Sequence, residues 1–319
     1  MKGNTTMNKT SVANESFCLP NSPEYYQNCL DYLKGIEGST AFMEPGQKHS
    51  GYLLPNTSEI KFSKQLTEKS LPRRICNYFY HPFGADTIKA IDVQDSATWV
   101  AEDGAIPVYD AIDDFTDLSI GRNKLAGILR MSLEFIGCMP EYRFEEYLIQ
   151  RLSDNFGKTE EKAFISGTGS NEPTGILDTT GGAEVGETAS ALSMDSIENL
   201  YFSLDKDYRD NAVWIMNDKT ALALRKLKDD NGMYLWGGET LLHHPVIISN
   251  YMPDADDGET PVAFGDFSYY WMVEREHFTI RTLREKFFEK GQIGYLAYEF
   301  MDGKLIRPDA VKLLKIEEA

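Results

Sequence analysis

The segment Pro140–Leu177, PEYRFEEYLIQRLSDNFGKTEEKAFISGTGSNEPTGIL, constrains this chain more than any other. Phe144, Leu148, Leu152, Phe156, Thr159 and Ala163 recur every three or four residues. That spacing predicts one face of an amphipathic helix over 140–165. Pro140 suits the first helical turn, where its missing N–H costs nothing. Asp154 and Lys158 are spaced to pair one turn apart. Gly167, Gly169, Pro173 and Gly175 then stop the helix and turn the chain. A helix of about 25 residues is roughly twice the globular mean, so it reads as a structural beam. Arms and strands precede it, and a separate α/β unit follows.

Composition narrows the function. The chain has 319 residues, enough for one large or two modest domains. Its net charge of −18 argues against non-specific nucleic-acid binding, because the surface repels phosphates. No run of 18 apolar residues exists, so no membrane span is expected. The start, MKGNTTMNKTSVANESF, lacks the apolar core of a signal peptide. Cys18, Cys29, Cys76 and Cys138 are widely separated, which predicts reduced thiols and neither a disulfide framework nor a metal site.

Taken in order, the first 55 or so residues are polar and punctuated by proline and glycine, with one short helix, EYYQNCLDYLKG, from Glu24 to Gly35. Such a segment buries too little surface to fold alone and must lie on a neighbour or stay unordered. A second helix, NTSEIKFSKQLTEKS, leads through Pro72, Arg73 and Arg74 to an aromatic strand, ICNYFYH. DTIKAIDV, SATWVAEDG and LSIGRNKLAGILRMS are strand-like. Val93–Lys124 is acidic and poor in apolar periodicity, which fits a protruding two-stranded hairpin. A lone hairpin is marginal, so this one needs another surface to lie on. Past the beam, DTTGGAEVGETAS reads as a small-residue linker or loop. Ser193 is placed to cap one helix, and Asn217 or Asp218 the helix DKTALALRKLKDDNG. Strands are expected at AVWIM, HPVIIS, PVAFGD, YYWMVER and FTIRTL. The C-terminal part reads as a strand, a hairpin turn at Asp302-Gly303 and a final strand.

Residues that might carry chemistry do not assemble into a constellation. The stretch GTGSNEPTG has no lysine where a phosphate loop needs one, and its glycines close a helix instead of opening one. His243 and His244 are adjacent, so in a strand they point to opposite faces; the other histidines are isolated. No serine stands in a G-x-S-x-G frame. The pairs Asp113-Asp114 and Asp229-Asp230 are unremarkable among 50 acids. Neither an enzyme, nor a metal, nor a cofactor is expected.

The ordered motifs resemble the major capsid proteins of tailed bacteriophages, the Hong Kong 97-type fold, over roughly 24–316. They are WVAEDGAIP from Trp99, KLAGILRMSLEFI, the helix exit FISGTGSNEPTGIL, WIMNDKTALALRKLKDDNGMYLW, HPVIISNYMP, FGDFSYYWMVER and DGKLIRPDAVKLLKI. His244 before Pro245 departs from the glycine frequent there. The resemblance implies an α+β fold. Its parts would be an N-terminal arm with the first short helices over 1–75, a P-domain strand over 76–92 and an E-loop hairpin over 93–124. P-domain 125–187 with spine helix 140–165, A-domain 188–290 and a C-terminal return to the P-domain over 291–319 complete it. It also implies hexamers and pentamers closing into an icosahedral shell around double-stranded DNA, without sequence-specific DNA contacts and without membrane. The virion would be the final location, and the host cytoplasm the place of assembly. An encapsulin-like compartment of the same fold is the alternative.

Three finer expectations follow from the resemblance. The hairpin acids Glu102, Asp103, Asp113 and Asp114 would dock on Arg73, Arg74 or the basic stretch containing Arg281 and Arg284 of an adjacent subunit. Some members cross-link through an E-loop lysine; no Lys lies between Lys89 and Lys124, so no cross-link is expected. Only about 55 residues precede the core, so a separate scaffolding protein, along with a portal, is expected.

Overall fold

The computed structural model describes residues 23–34, 52–53, 56–81, 87–91, 99–100, 115–229 and 231–318. In chain order the elements are α1 (Pro23–Lys34), β1 (Tyr52–Leu53), α2 (Asn56–Lys69), α3 (Leu71–Ile75), β2 (Asn77–Tyr80), β3 (Thr87–Ile91), β4 (Phe115–Ser119) and β5 (Asn123–Ser132). Then come α4 (Leu133–Cys138), α5 (Glu141–Ser166), β6 (Glu184–Ala189), α6 (Met194–Ser203), α7 (Lys206–Arg209), β7 (Val213–Met216) and α8 (Asp218–Arg225). The chain ends with β8 (Thr240–Leu241), β9 (His244–Ile248), β10 (Val262–Gly265), β11 (Tyr270–Leu283), β12 (Gln292–Leu305) and β13 (Val311–Ile316). Two sheets of more than two strands result, ordered β1-β11-β12-β5 with β2 beside β11, and β6-β13-β10-β7-β9-β8.

The chain divides into two compact units. One gathers the described parts of Met1–Ser63, Ile128–Gln150 and Phe278–Ala297, and the other those of Lys64–Gly127, Arg151–His277 and Tyr298–Ala319. In the first, Phe62 stacks on Phe278 with centroids 3.9 Å apart, and Phe144 meets Tyr295 edge-on at 5.9 Å. Tyr295 donates its hydroxyl to the Leu33 carbonyl at 2.7 Å, and burial raises its pKa. Tyr26 and Lys61 both reach the buried carboxylate of Glu145, at 2.5 and 3.4 Å.

The second unit is layered on its six-stranded sheet. Trp214, Met216 and Phe264 point to one face, under Ile197 and Leu200 of α6 and Leu224 of α8. Ile215, Ala263 and Leu313 point to the other, where Phe164 and Ile165 at the end of α5 pack. Strand β10, VAFG, is buried throughout because both faces are covered. Strands β7 and β9 run parallel, and α8 provides the crossover.

The long helix spans 26 residues, close to the expected range. Its buried face differs at one point: Thr159 is exposed and bonds back to the Asn155 carbonyl, while Glu160 is inside. Asp154 pairs with Lys69 at 3.3 Å, in place of Lys158. The exit turn satisfies the helix's last carbonyls with backbone: Gly167 N–H bonds Ala163, Ile176 bonds Phe164 and Leu177 bonds Ile165. This return brings chains so close that a Cβ on Gly167 would lie 2.1 Å from the Pro173 oxygen, and one on Gly175 2.6 Å from the Ile165 oxygen. The glycines are structural.

Several other expectations change. DTTGGAEVGETAS contains β6, an edge strand parallel to β13; its exposed Val185 and glycines hid it. Gly186 lets α6 approach, since a Cβ there would meet the Ser203 hydroxyl at 2.4 Å. The helix DKTALALRKLKDDNG stops at Arg225, and Lys228 and Tyr234 form an isolated bridge instead. YYWMVER and FTIRTL are one strand, β11. Asp302-Gly303 lies inside β12 and is no turn. The buried Asp302 carboxylate accepts from Gly121 N–H, Asn123 Nδ2 and Gly303 N–H, and Tyr270 fills the space a Gly303 side chain would need. The six-stranded sheet also crosses the expected segment limits: β6 begins before 188, and β13 comes from the C-terminal segment. The hairpin pairs β3 with β4, Thr87 opposite Ser119, so Lys89 stands in it; its remainder lies outside the described residues.

His243 is not in a strand. Leu242 and His243 join β8 to β9 with φ of 48° and 68°, the left-handed pair of a two-residue hairpin turn. Side chains with a Cβ are strained there, and exposed His243 makes no core contact. Replacing His243→Gly is expected to raise stability by about 1 kcal/mol. Urea denaturation checks this, and an unchanged or lower midpoint contradicts it.

Candidate assembly surface

The outer surface carries large apolar side chains that nothing in the described chain covers. Trp99 is fully exposed, in the segment between β3 and β4. Met233, Tyr234 and Leu235 are three consecutive exposed apolar residues. Leu222 on α8 and Ile248 on β9 are exposed beside a groove of about 690 Å³ lined also by Trp236 and Val246. Phe202, in the last turn of α6, is 68% exposed. Runs of this kind mark interaction sites in proteins that stay soluble.

The anticipated docking residues separate. Glu102, Asp103, Asp113 and Asp114 lie outside the described residues. Arg281, in β11, and Arg284, just past it, are half-buried in the first unit. Arg74 is exposed on α3. Arg73, one residue away, points inward with its side chain 5% exposed and is engaged by its own chain. Its internal partners set it apart from Arg74 as a docking residue.

The surroundings of Arg73 explain why. Gly157 on α5 has no side chain, so the backbone of Lys69 and Ser70 passes where a Cβ would come within 3.2 Å. The α2–α3 junction thereby lies on α5. Pro72, buried in α3's first turn, leads the chain so that Arg73 meets Glu160. The guanidinium grips Glu160 as a fork, Nη2 to Oε1 at 2.6 Å and Nε to Oε2 at 2.8 Å. The Ser70 hydroxyl adds a bond to Glu160 Oε2 at 2.6 Å. Arg73 also reaches Glu299 Oε2 on β12 at 3.2 Å and covers the Tyr78 ring at 4.4 Å. Tyr78 donates its hydroxyl to Glu274.

One buried cation thus faces two buried carboxyl groups. Desolvation alone would lower the Arg73 pKa, but Glu160 and Glu299 outweigh it and hold the cation firmly. Glu299 goes the other way: burial raises its pKa well above the ordinary value, against Arg73, with Glu160 and Glu274 adding to the rise. Its Oε1 has no hydrogen-bond partner among the described residues. The rise favours the protonated form of Glu299 and so limits the uncompensated negative charge beside Arg73. Because the folded-state pKa is the higher one, this stabilisation is complete below the ordinary value of 4.5 and declines as pH rises toward the raised value. Glu299→Gln is expected to remove that decline. Between pH 5 and pH 8 the wild type should lose at least about 1 kcal/mol more stability than the variant. Equal losses in urea titrations at the two pH values would refute the assignment.

With this geometry in hand, comparison with known proteins is direct. The model of the phage capsid family matches residues 50–316. The capsid of a native GTA particle is 25% identical, with a TM-score of 0.62, over 88% of this chain and 97% of that one. The capsid of an empty GTA particle is 28% identical, with a TM-score of 0.59, over 77% and 95%. The satellite phage P4 procapsid chain is 12% identical, with a TM-score of 0.53, over 82% and 99%, and shares the fold. No curated protein matches. These relatives are structural capsid proteins. An overlong helix, an anchored interior and apolar side chains left uncovered by the described residues accord with a subunit of a shell, and the chain belongs to the phage capsid family.

Proposed function

We propose that this chain is the major capsid protein of a tailed phage or prophage, whose copies form hexamers and pentamers that close into an icosahedral shell around double-stranded DNA. The likeness that spans 97% of the native GTA capsid chain carries this reading. The parts follow from it. Helix α5 is the spine of the peripheral domain, and the hairpin on β3 and β4 is the E-loop. The six-stranded sheet with α6 and α8 is the axial domain, and the segment before α2 is the N-terminal arm. Heterologous contacts between such subunits close into rings, and many modest contacts add up. A separate scaffolding protein and a portal complete assembly in the host cytoplasm, and the virion is the destination. A net charge of −18 suits a container whose lining must not hold DNA as it enters.

Negative-stain microscopy of the purified protein is expected to show capsomers or shells. Trp99 fluorescence should shift to the blue on assembly as the indole leaves water. Small uniform particles with an unshifted emission would overturn the reading.

Because Arg73 is engaged internally, the hairpin acids are proposed to dock on Arg74 of an adjacent subunit, with Arg281 and Arg284 as the second basic site. Arg74→Glu is expected to lower shell yield with an unchanged melting temperature of the unassembled subunit. Arg73→Glu is instead expected to unfold the subunit, since breaking a buried pair costs about 3–5 kcal/mol. Normal shell yield from Arg74→Glu would exclude that contact.

A further inference from the structure

The axial sheet carries two unlike apolar features at its two edges. Helix α6 lies over β6 and β13, and its last turn presents Phe202 to solvent. At the other edge, beside β9 and β8, is the groove of about 690 Å³ between α8 and the loop after it. Its walls are Leu222, Trp236, Val246 and Ile248. One feature is a protruding ring and the other a concavity wide enough for a ring.

Charge distinguishes them too. Around Phe202 stand Lys206, Arg209 and Lys312 against Asp205 and Asp309. Around the groove stand Asp218 and Glu239 against Arg225. Lys312 is paired with Glu184, which leaves Lys206 as an exposed cation beside Phe202, and Glu239 is an exposed anion at the groove. The ring is also held ready. Arg209 donates to the carbonyls of Leu204 at 2.6 Å and Phe202 at 3.2 Å, and its guanidinium lies 5.2 Å from the Phe202 ring centroid. An aromatic ring fixed in this way loses little freedom when it is buried by a partner.

We infer that Phe202 of one copy inserts into the Leu222–Trp236–Ile248 groove of the next copy, with Lys206 of the first facing Glu239 of the second. A knob at one edge and a hole at the other make a head-to-tail contact, which repeats around a ring when the rotation closes. The inference rests on the shell reading and specifies which surfaces meet within a capsomer.

The test places a photoreactive ring at the knob, Phe202→p-benzoylphenylalanine, in the full chain. Irradiation of assembled material should give covalent dimers and higher rungs on a denaturing gel. The joined peptides should contain Leu222, Trp236 or Ile248. Cross-links to any other segment, or none in particles that assemble normally, overturn the inference while leaving the shell reading intact. Wild-type protein that forms neither capsomers nor shells overturns both. A charge swap checks the same contact without a probe. Lys206→Glu should weaken association by about five-fold per contact, and Glu239→Lys in the same chain should restore it. Failure of Glu239→Lys to restore capsomers also overturns the inference. Lys206 and Glu239 are both exposed, so the subunit fold should survive either change.

Discussion

The fork between Arg73 and Glu160 is the interaction on which the second unit's arrangement depends. It joins α3 to the C-terminal part of α5, and through Glu299 it reaches β12. Two charges taken out of water are costly, and the cost is offset only where geometry and extra hydrogen bonds are good. Here Ser70 adds a donor to Glu160, and Gly157 brings the backbone within reach. Burial raises the pKa of the second carboxyl, Glu299, which favours its neutral form beside the Arg73–Glu160 pair. The same arrangement ties stability to pH, because every ionisation of Glu299 leaves a buried anion with only part of a partner.

Helix α5 depends on a second constraint, the closure of its own end. A helix terminus buried under a sheet cannot leave its carbonyls to water. In this chain the turn after Gly175 supplies the missing N–H groups from Ile176 and Leu177. The two backbones then lie too close for side chains, which accounts for Gly167 and Gly175 together. Phe164 and Ile165, in the same last turn, pack on Ile215, Ala263 and Leu313 of the six-stranded sheet. A glycine-rich stretch that might suggest a phosphate loop serves to couple a helix to a sheet.

Among the described residues the apolar interior packs against itself, while several large apolar side chains remain on the surface. Phe202, Trp99 and the Met233–Leu235 run are exposed apolar side chains, and the run of three is the kind of feature that marks interaction sites. Family membership gives them a reason, since the subunit is one tile and its neighbours complete the burial. The strong negative charge opposes indiscriminate self-association, so contacts must be made where apolar fit and local charge agree.

What the sequence determined by itself was local. Periodic apolar spacing placed α5 and α1, and the caps at Ser193 and Asn217 were readable because a capping side chain acts on backbone three residues away. Ordered motifs over most of the chain pointed to the capsid family. Only the tertiary structure decided the rest. Glu160 is buried in place of Thr159 because its partner Arg73 stands 87 residues away, a distance no helical pattern records. Asp302-Gly303 has turn chemistry but stays within a strand, since Gly121, Asn123 and Tyr270 satisfy and fill it. Edge strand β6 looked like a linker because an edge needs little apolar content of its own. Arg73 and Arg74 are equivalent basic residues in the sequence, and the direction of one helical turn sends the first into the core and the second to the surface.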